Sequence, residues 1–193
     1  SKTSRVKAYS GTGELLWAVD AFAQNHIRGV DVAVGDIDGD GTNEVLAAGG
    51  PGGKPKVAVL AGATGVRRDV VRVFDVDYTG GVNVAAGDID GNGAADIIVG
   101  SGGAVPGEVR VFSGSGKQYD WALVPFGEEF TGAVDVSTTD WDNTGGAEEI
   151  VVTQASRGQA WLKTYRYDTA QTILTEERVM KASFTKGARV AGW

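Results

Sequence analysis

The sequence contains no cysteine and a single histidine, His26, among its 193 residues. Without cysteine the chain can form neither disulfide bonds nor thiolate metal sites. With one histidine, no convincing Ser/His or Cys/His nucleophilic pair can be assembled. His26 also shares its position with Tyr78 and Phe130 at steps of 52 residues, so we expect it to pack in a core or interface. These scarcities favour a non-catalytic protein over an enzyme.

Basic residues and long apolar runs are also in short supply. The formal net charge is −7, which argues against nucleic acid and against an anionic membrane surface as partners. No apolar run approaches the roughly 20 residues that a membrane-spanning helix needs. We therefore expect no nucleic-acid partner and no membrane span.

Glycine, by contrast, is abundant, and the sequence repeats. Thirty of the residues are glycine, which is about twice the usual share. A fixed period of 52 residues relates two sets of positions: Asp36, Asp88 and Asp140, and Phe22, Phe74 and Phe126. A period of this size indicates a solenoid, an array or a propeller.

Each repeat contains short β-branched segments that are bounded by turn-forming residues. In the first repeat these segments are VDVAVG, EVLAA, KVAVLAG and VVRVFDV, and no long window shows a helical period. Four short strands in a repeat of about fifty residues match the size of a propeller blade. The predicted fold is therefore all-β, a β-propeller of four-stranded antiparallel blades.

The phase of the repeat predicts three complete blades, with partial blades at both ends of a single propeller or propeller fragment. We expect two strands of a partial blade in 1–28, complete blades in 29–80, 81–132 and 133–186, and the first strand of a further blade in 187–193. Two arrangements fit this pattern. The two ends could meet in an incomplete fourth blade, or the chain could be part of a larger propeller.

The stretch GDIDGDGTNEV, residues 35–45, has the spacing of a metal-binding loop. Aspartates at positions one, three and five can wrap around one centre, and a glycine at position six allows the sharp bend. A backbone carbonyl at position seven and an acid at position nine complete an oxygen-only shell, which suits Ca²⁺ rather than zinc or copper. The predicted ligands are Asp36, Asp38, Asp40, Glu44 and the carbonyl of Thr42.

The same spacing occurs once more in full and once in a degraded form. The second set is Asp88, Asp90, Asn92, Asp96 and the carbonyl of Ala94. The third set is Asp140, Asp142, Thr144 and either Glu148 or Glu149, because one inserted residue leaves the alignment open. A lone Asp-Gly turn would be an ordinary hairpin connection. The repeated register instead favours calcium at the first two loops, with weaker or altered binding at the third.

These motifs resemble the FG-GAP repeats of integrin-alpha-type, VCBS-like propellers. The resemblance rests on DIDGDGTNEV and DIDGNGAADI, and on GGPGGKPKVAVLAGATG and GGVNVAAGDID around them. It implies a β-propeller with Ca²⁺ in the hairpin between the first and second strands of each blade. The third repeat departs from the pattern, with Trp141 in place of an isoleucine and one inserted residue.

The expected function is that of a calcium-binding, non-catalytic module for adhesion, protein interaction or surface assembly. Weak sites of this kind fill at extracellular calcium levels and stay empty in the cytosol, so we expect an exported or cell-surface location. The expected partner is a protein or a glycan, and self-assembly with further blades or chains is also open. The alternatives are a lectin-like propeller and the propeller part of a secreted polysaccharide lyase or hydrolase.

Two further groups of residues have a structural and a functional interpretation. Asp31, Asn83 and Asp135 recur in the first strand of each repeat and could face the axial channel, but bonding to the backbone of a neighbouring blade is the more economical role. Trp141, in the third loop, could stack on a sugar or anchor a partner, or it could pack over the loop.

Overall fold

The computed structural model describes residues 4–22, 29–181, 183 and 185–191. These residues form fourteen β-strands and no α-helix: β1 Arg5–Tyr9, β2 Leu15–Asp20, β3 Val30–Gly35, β4 Glu44–Gly49, β5 Lys56–Ala61, β6 Arg67–Arg72, β7 Val82–Gly87, β8 Asp96–Ser101, β9 Val109–Phe112, β10 Gln118–Leu123, β11 Val134–Thr139, β12 Glu149–Gln154, β13 Trp161–Tyr165 and β14 Ile173–Arg178. Within the described part of the chain, no helix is long and apolar enough to cross a membrane.

The strands form one two-stranded sheet and three four-stranded antiparallel sheets. In every sheet the strands pair in chain order, so each is a simple meander. We call β3–β6 blade 1, β7–β10 blade 2, β11–β14 blade 3, and β1–β2 the partial blade. The first strands of neighbouring blades contact each other, as the innermost strands of a propeller do. The predicted all-β, propeller-like architecture of repeated four-stranded blades is confirmed.

The hydrophobic core fills the spaces between adjacent sheets. Three clusters of buried side chains fill these spaces. One lies between the partial blade and blade 1, one between blades 1 and 2, and one between blades 2 and 3. Each fully buried aliphatic side chain contributes about 1.5–3 kcal/mol. Representative pairs across the three spaces are Trp17 and Leu60, Leu46 and Ile97, and Ile98 and Ile150.

Polar side chains in the innermost strands bond each blade to the segment that follows it. The Oδ2 atom of Asp31 accepts the Val84 amide at 2.9 Å, and the Nδ2 atom of Asn83 donates to the Val134 carbonyl at 2.7 Å. Asp135 Oδ2 accepts the amide of Val190 at 2.9 Å. The expectation that this recurring position bonds to the backbone of a neighbouring segment is confirmed.

The segment that follows blade 3 differs from the prediction. Residues 187–191 are described and form no strand, because no second strand lies beside them in the described residues to form a ladder. They nevertheless lie against blade 3. The Ala188 amide donates to the Gln154 carbonyl at 2.8 Å, and the Ala188 carbonyl accepts the Thr153 hydroxyl at 2.8 Å.

Candidate metal centres

The three acidic loops join the first and second strands of each blade. In blades 1 and 2 the strand register pairs Gly35 with Glu44 and Gly87 with Asp96. In blade 3 it pairs Thr139 with Glu149. In each blade the hairpin thus places an acidic residue at the first position of the blade's second strand, next to the end of the loop.

Each loop turns through two residues with left-handed backbone. At position four these are Gly39, Gly91 and Asn143, with φ of 73°, 74° and 54°; at position six they are Gly41, Gly93 and Gly145, with φ of 82°, 90° and 67°. Glycine adopts this conformation without steric cost, and asparagine tolerates it better than most other residues. The third loop therefore keeps the turn of the other two although its sequence has diverged.

The first aspartate of each loop holds the turn closed through backbone amides. The carboxylate of Asp36 accepts the amides of Gly39, Asp40 and Gly41 at 2.9, 3.1 and 2.8 Å. The equivalent bonds run to Asp88 from Asn92 and Gly93 at 3.0 and 2.8 Å, and to Asp140 from Thr144 and Gly145, both at 3.0 Å. Each loop therefore has the same arrangement of backbone amides around its first aspartate, which we call the backbone cage.

The side chain at position five braces the residue at position seven in the first two loops. Asp40 Oδ1 accepts the amide of Thr42, and Asn92 Oδ1 accepts the amide of Ala94, both at 2.8 Å. In the third loop Thr144 occupies position five, and its amide also donates to Asp142 at 3.2 Å.

Carboxylate oxygens converge at each loop. In every loop, one oxygen from each of three acidic side chains lies within 4.8 Å of the other two. The clusters are Asp36, Asp38 and Asp40; Asp88, Asp90 and Asp96; and Asp140, Asp142 and Glu149. Three carboxylates at this spacing repel one another, so the arrangement fits a bound cation.

The second cluster contains a buried carboxylate oxygen with no protein partner. Asp96 is only 2% exposed, its Oδ1 atom accepts the Tyr119 hydroxyl at 2.9 Å, and its Oδ2 atom has no hydrogen-bond partner. Burial, together with the charges of Asp90 and Asp88, raises the pKa of Asp96 to about 6. A buried anion of this kind is costly unless a cation pairs with it. The residues present therefore fit an oxygen-ligated metal ion.

The first cluster differs because its position-nine acid is engaged elsewhere. Glu44 is buried, and its Oε2 atom accepts the Ile37 amide at 3.2 Å. Its Oε1 atom lies 2.9 Å from the Nη1 atom of Arg68, which also lies 2.8 Å from Asp38 Oδ2. Glu44 therefore stands beside the convergent oxygens of the first loop and not among them.

In the third loop Glu149, and not Glu148, lies in the acidic cluster. Glu149 is buried, and its Oε2 atom accepts the Trp141 amide at 2.9 Å, as Glu44 does with Ile37. Glu148 lies outside the cluster: its amide donates to the Asp88 carbonyl at 2.8 Å, and its carboxylate lies beside Gly87 of blade 2. The extra residue of this loop is absorbed before Glu149, which keeps the register of the strand.

Sequence reasoning missed three side chains that contact the clusters from the outer part of the same blade. These cluster-capping side chains are Arg68, Tyr119 and Arg166. Arg166 lies 2.8 Å from Asp142 and 3.9 Å from Glu149. Their positions are not related by the 52-residue period, so repeat alignment contains no signal for them. His26, the histidine assigned to a packed position, lies outside the described residues.

Blades of four antiparallel strands, each with an acidic hairpin loop after its innermost strand, define a propeller-like fold with three candidate metal sites. Residues 36–99, about a third of the chain, match the FG-GAP-like repeat family. This segment includes the first two loops in full, and the predicted resemblance is confirmed there. A search of curated proteins by sequence found no match.

Solved structures with the same fold include three rhamnogalacturonan lyases. YesW matches with a TM-score of 0.54 and 14% identity over 94% of this chain and 39% of its own. The exotype lyase YesX matches with a TM-score of 0.52 and 15% identity over 88% of this chain and 35% of its own. The Bacillus licheniformis rhamnogalacturonan lyase PL11 matches with a TM-score of 0.52 and 16% identity over 91% of this chain and 37% of its own. The chain thus spans less than two-fifths of the length of each lyase.

Proposed function

We propose that this chain is a calcium-binding propeller that acts outside the cell as a non-catalytic module for adhesion, protein interaction or surface assembly. The observation that carries the proposal is the second cluster: an oxygen of buried Asp96 lies within 4.8 Å of oxygens of Asp88 and Asp90, and the Oδ2 atom of Asp96 has no hydrogen-bond partner. The first and third loops have the same backbone cage.

The donor set supports calcium over other metals. The side-chain donors at the three loops are oxygen atoms of carboxylates, of the Asn92 amide and of the Thr144 hydroxyl, and the sequence has no cysteine. Calcium accepts six to eight oxygen ligands in a flexible shell, whereas zinc and copper favour nitrogen or sulfur.

The role of the metal in this proposal is structural. A divalent cation supplies positive charge that offsets the repulsion among the clustered carboxylates. The chain's own residues do the rest. Asp36, Asp88 and Asp140 fix the turn through backbone amides. In the first and third loops, Glu44 and Glu149 also accept a loop amide and so tie the loop to the strand that follows it. Filled loops would therefore hold the innermost hairpin of every blade rigid, and an extracellular location would supply enough calcium.

The test compares thermal unfolding of three proteins in calcium and in excess EGTA. Wild type should gain roughly 4 kcal/mol for each independent site when calcium is about 1,000 times Kd. Asp96→Asn should lose much of one site's gain in calcium. In EGTA it should be as stable as wild type or more stable, because it removes a buried charge that has no cation beside it.

The matched control is Asp77→Asn, which makes the same chemical change at an exposed aspartate outside the loops. It should behave as wild type in both buffers. If calcium fails to raise the melting temperature of wild type, the loops are empty turns and the proposal is wrong. Equal destabilisation by Asp96→Asn in calcium and in EGTA would also contradict a metal role for that carboxylate.

A second candidate function is carbohydrate binding, either as an independent propeller or as the propeller part of a larger polysaccharide-degrading enzyme. It is favoured by the shared fold of three rhamnogalacturonan lyases and by Trp141, which is 47% exposed beside the third loop. A glycan array that includes rhamnogalacturonan, probed with wild type and Trp141→Ala, tests this alternative. Incubation with rhamnogalacturonan, followed by ultraviolet detection of unsaturated products, tests whether the chain itself is a lyase.

A further inference from the structure

The cluster-capping side chains differ in charge from blade to blade. In blade 1 the guanidinium of Arg68 bridges Asp38 and Glu44. In blade 3 the guanidinium of Arg166 contacts Asp142 and approaches Glu149. In blade 2 the capping group is the neutral hydroxyl of Tyr119, which donates to Asp96 at 2.9 Å and to Asp90 at 3.3 Å.

This difference matters because a guanidinium and a metal ion compete for the same carboxylates. Arginine keeps its positive charge at all pH values that a folded protein experiences. At the loops capped by Arg68 or Arg166, a nearby positive charge repels a divalent ion, and one carboxylate is already in an ion pair. Both effects weaken the binding of the ion. The phenol of Tyr119 presents no such charge. The buried Oδ2 atom of Asp96, like Glu44 Oε1, has no hydrogen-bond partner, but only Glu44 has a guanidinium beside it.

We propose that Arg68 and Arg166 set the calcium affinity of their loops by competing for the ligands, so that the three loops fill in a fixed order. The second loop binds first and most tightly. The first and third loops fill only when the guanidinium groups leave their carboxylates. This inference rests on the proposed calcium function and adds to it the residues that make the calcium affinities of the three loops differ.

Both arginines are placed so that they can move away. The side chains of Arg68 and Arg166 are 42% and 47% exposed. The pair of Arg68 with Asp38 is exposed on both sides, and such pairs contribute only about 0–1 kcal/mol. Buried Glu44 loses its ion pair when Arg68 leaves, and a bound divalent ion would replace that positive charge. A long, solvated side chain can therefore swing into water without disturbing its strand. In the first loop Asp38 is itself half-exposed, so its carboxylate is free to turn from the guanidinium toward a bound ion.

The position-six glycines provide a separate reporter for each loop. The amides of Gly41 and Gly93 donate at 2.8 Å, and that of Gly145 donates at 3.0 Å, to the first aspartate of their own loop. We suggest titrating the ¹⁵N-labelled 193-residue chain with calcium chloride while following these three amide resonances. Each resonance gives the calcium midpoint of one loop.

In wild type, Gly93 should shift at lower calcium than Gly41 and Gly145. In Arg68→Met the Gly41 midpoint should fall by about tenfold, since a nearby unit charge no longer opposes a divalent ion. The Gly93 midpoint should not change. Arg166→Met should do the same for Gly145. The control Arg67→Met removes the same charge one residue earlier and should leave the Gly41 midpoint within about twofold.

The outcomes separate this inference from the function on which it rests. If the Gly41 midpoint in Arg68→Met is unchanged or rises, Arg68 does not compete with calcium and the inference is wrong. A rise would mark Arg68 as a residue that positions Asp38 for the metal. If none of the three glycine amides shifts with calcium in wild type, the calcium proposal itself is wrong.

Discussion

Asn143 has a left-handed backbone, with φ of 54°, at a position where the other two loops have glycine. The backbone of an acidic loop is therefore set by two residues that accept positive φ, at positions four and six, more than by its charges. Asparagine meets this requirement in the third loop, because its short side chain tolerates the left-handed region. Loss of one glycine has consequently left the cage of backbone amides around Asp140 intact.

A pair of neighbouring glycines in the third loop tests this point. Gly145 has φ of 67°, whereas Gly146 is not left-handed, and both have room for a methyl group. Gly145→Ala should lower the free energy of unfolding by about 1–2 kcal/mol because of backbone strain. Gly146→Ala should leave it unchanged or raise it by up to about 0.5 kcal/mol. Urea denaturation in saturating calcium measures both, and equal effects would show that φ does not govern the loop.

At the scale of the element, the hairpin between the first two strands is the unit that builds the site. Its register sets an acidic residue opposite Gly35, Gly87 or Thr139. The innermost strand of the same hairpin also carries the polar side chain that bonds to the next blade. One pair of strands therefore both forms a candidate metal centre and joins adjacent blades.

The hydrogen bond between blades 2 and 3 has a defined polarity that mutation can reverse. Asn83 is buried and donates to the Val134 carbonyl. In Asn83→Asp a carboxylate would face that carbonyl oxygen, so the stability loss should be at least about 2 kcal/mol. Asp31→Asn keeps an acceptor for the Val84 amide and should lose less than about 1 kcal/mol. Chemical denaturation compares the two, and similar losses would contradict the assigned polarity.

The sequence was sufficient to predict features that depend on local spacing. The 52-residue period predicted the blades, and the spacing of the acidic residues within each loop predicted the oxygen clusters, because both patterns can be seen in the sequence itself. The capping arginines could not be predicted, since they approach from β6 and from the end of β13 at unrelated positions in the repeat. Residues 187–191 form no strand for a different reason: a strand needs a partner, which a local pattern does not guarantee.

For the whole molecule, the acidic loops dominate the electrostatics. The formal net charge is −7, and three bound divalent ions would reduce its magnitude to about 1. Metal binding would thus change the field of the entire surface, and with it the approach of a charged partner.

Electrophoretic mobility gives a direct measure of this charge change. On a native gel that contains calcium, the protein should migrate toward the anode much more slowly than on a gel that contains EGTA. Magnesium at the same concentration should have a smaller effect, because it requires near-ideal octahedral geometry and gives up its bound water reluctantly. Identical mobility in calcium and in EGTA would mean that the carboxylates hold no ions.

The acidic loops are also joined to one another through the backbone. The Asp36 carbonyl accepts the Ala95 amide of blade 2 at 2.7 Å, and the Asp88 carbonyl accepts the Glu148 amide of blade 3 at 2.8 Å. Each of these two protons can exchange with deuterium only after neighbouring hairpins separate. Their exchange rates therefore time the opening of the two interfaces, one amide for each. A ligand that stabilises a single loop would slow the exchange of the amide proton that the neighbouring blade donates to that loop. Hydrogen exchange at these two amides therefore reports the opening of each interface separately.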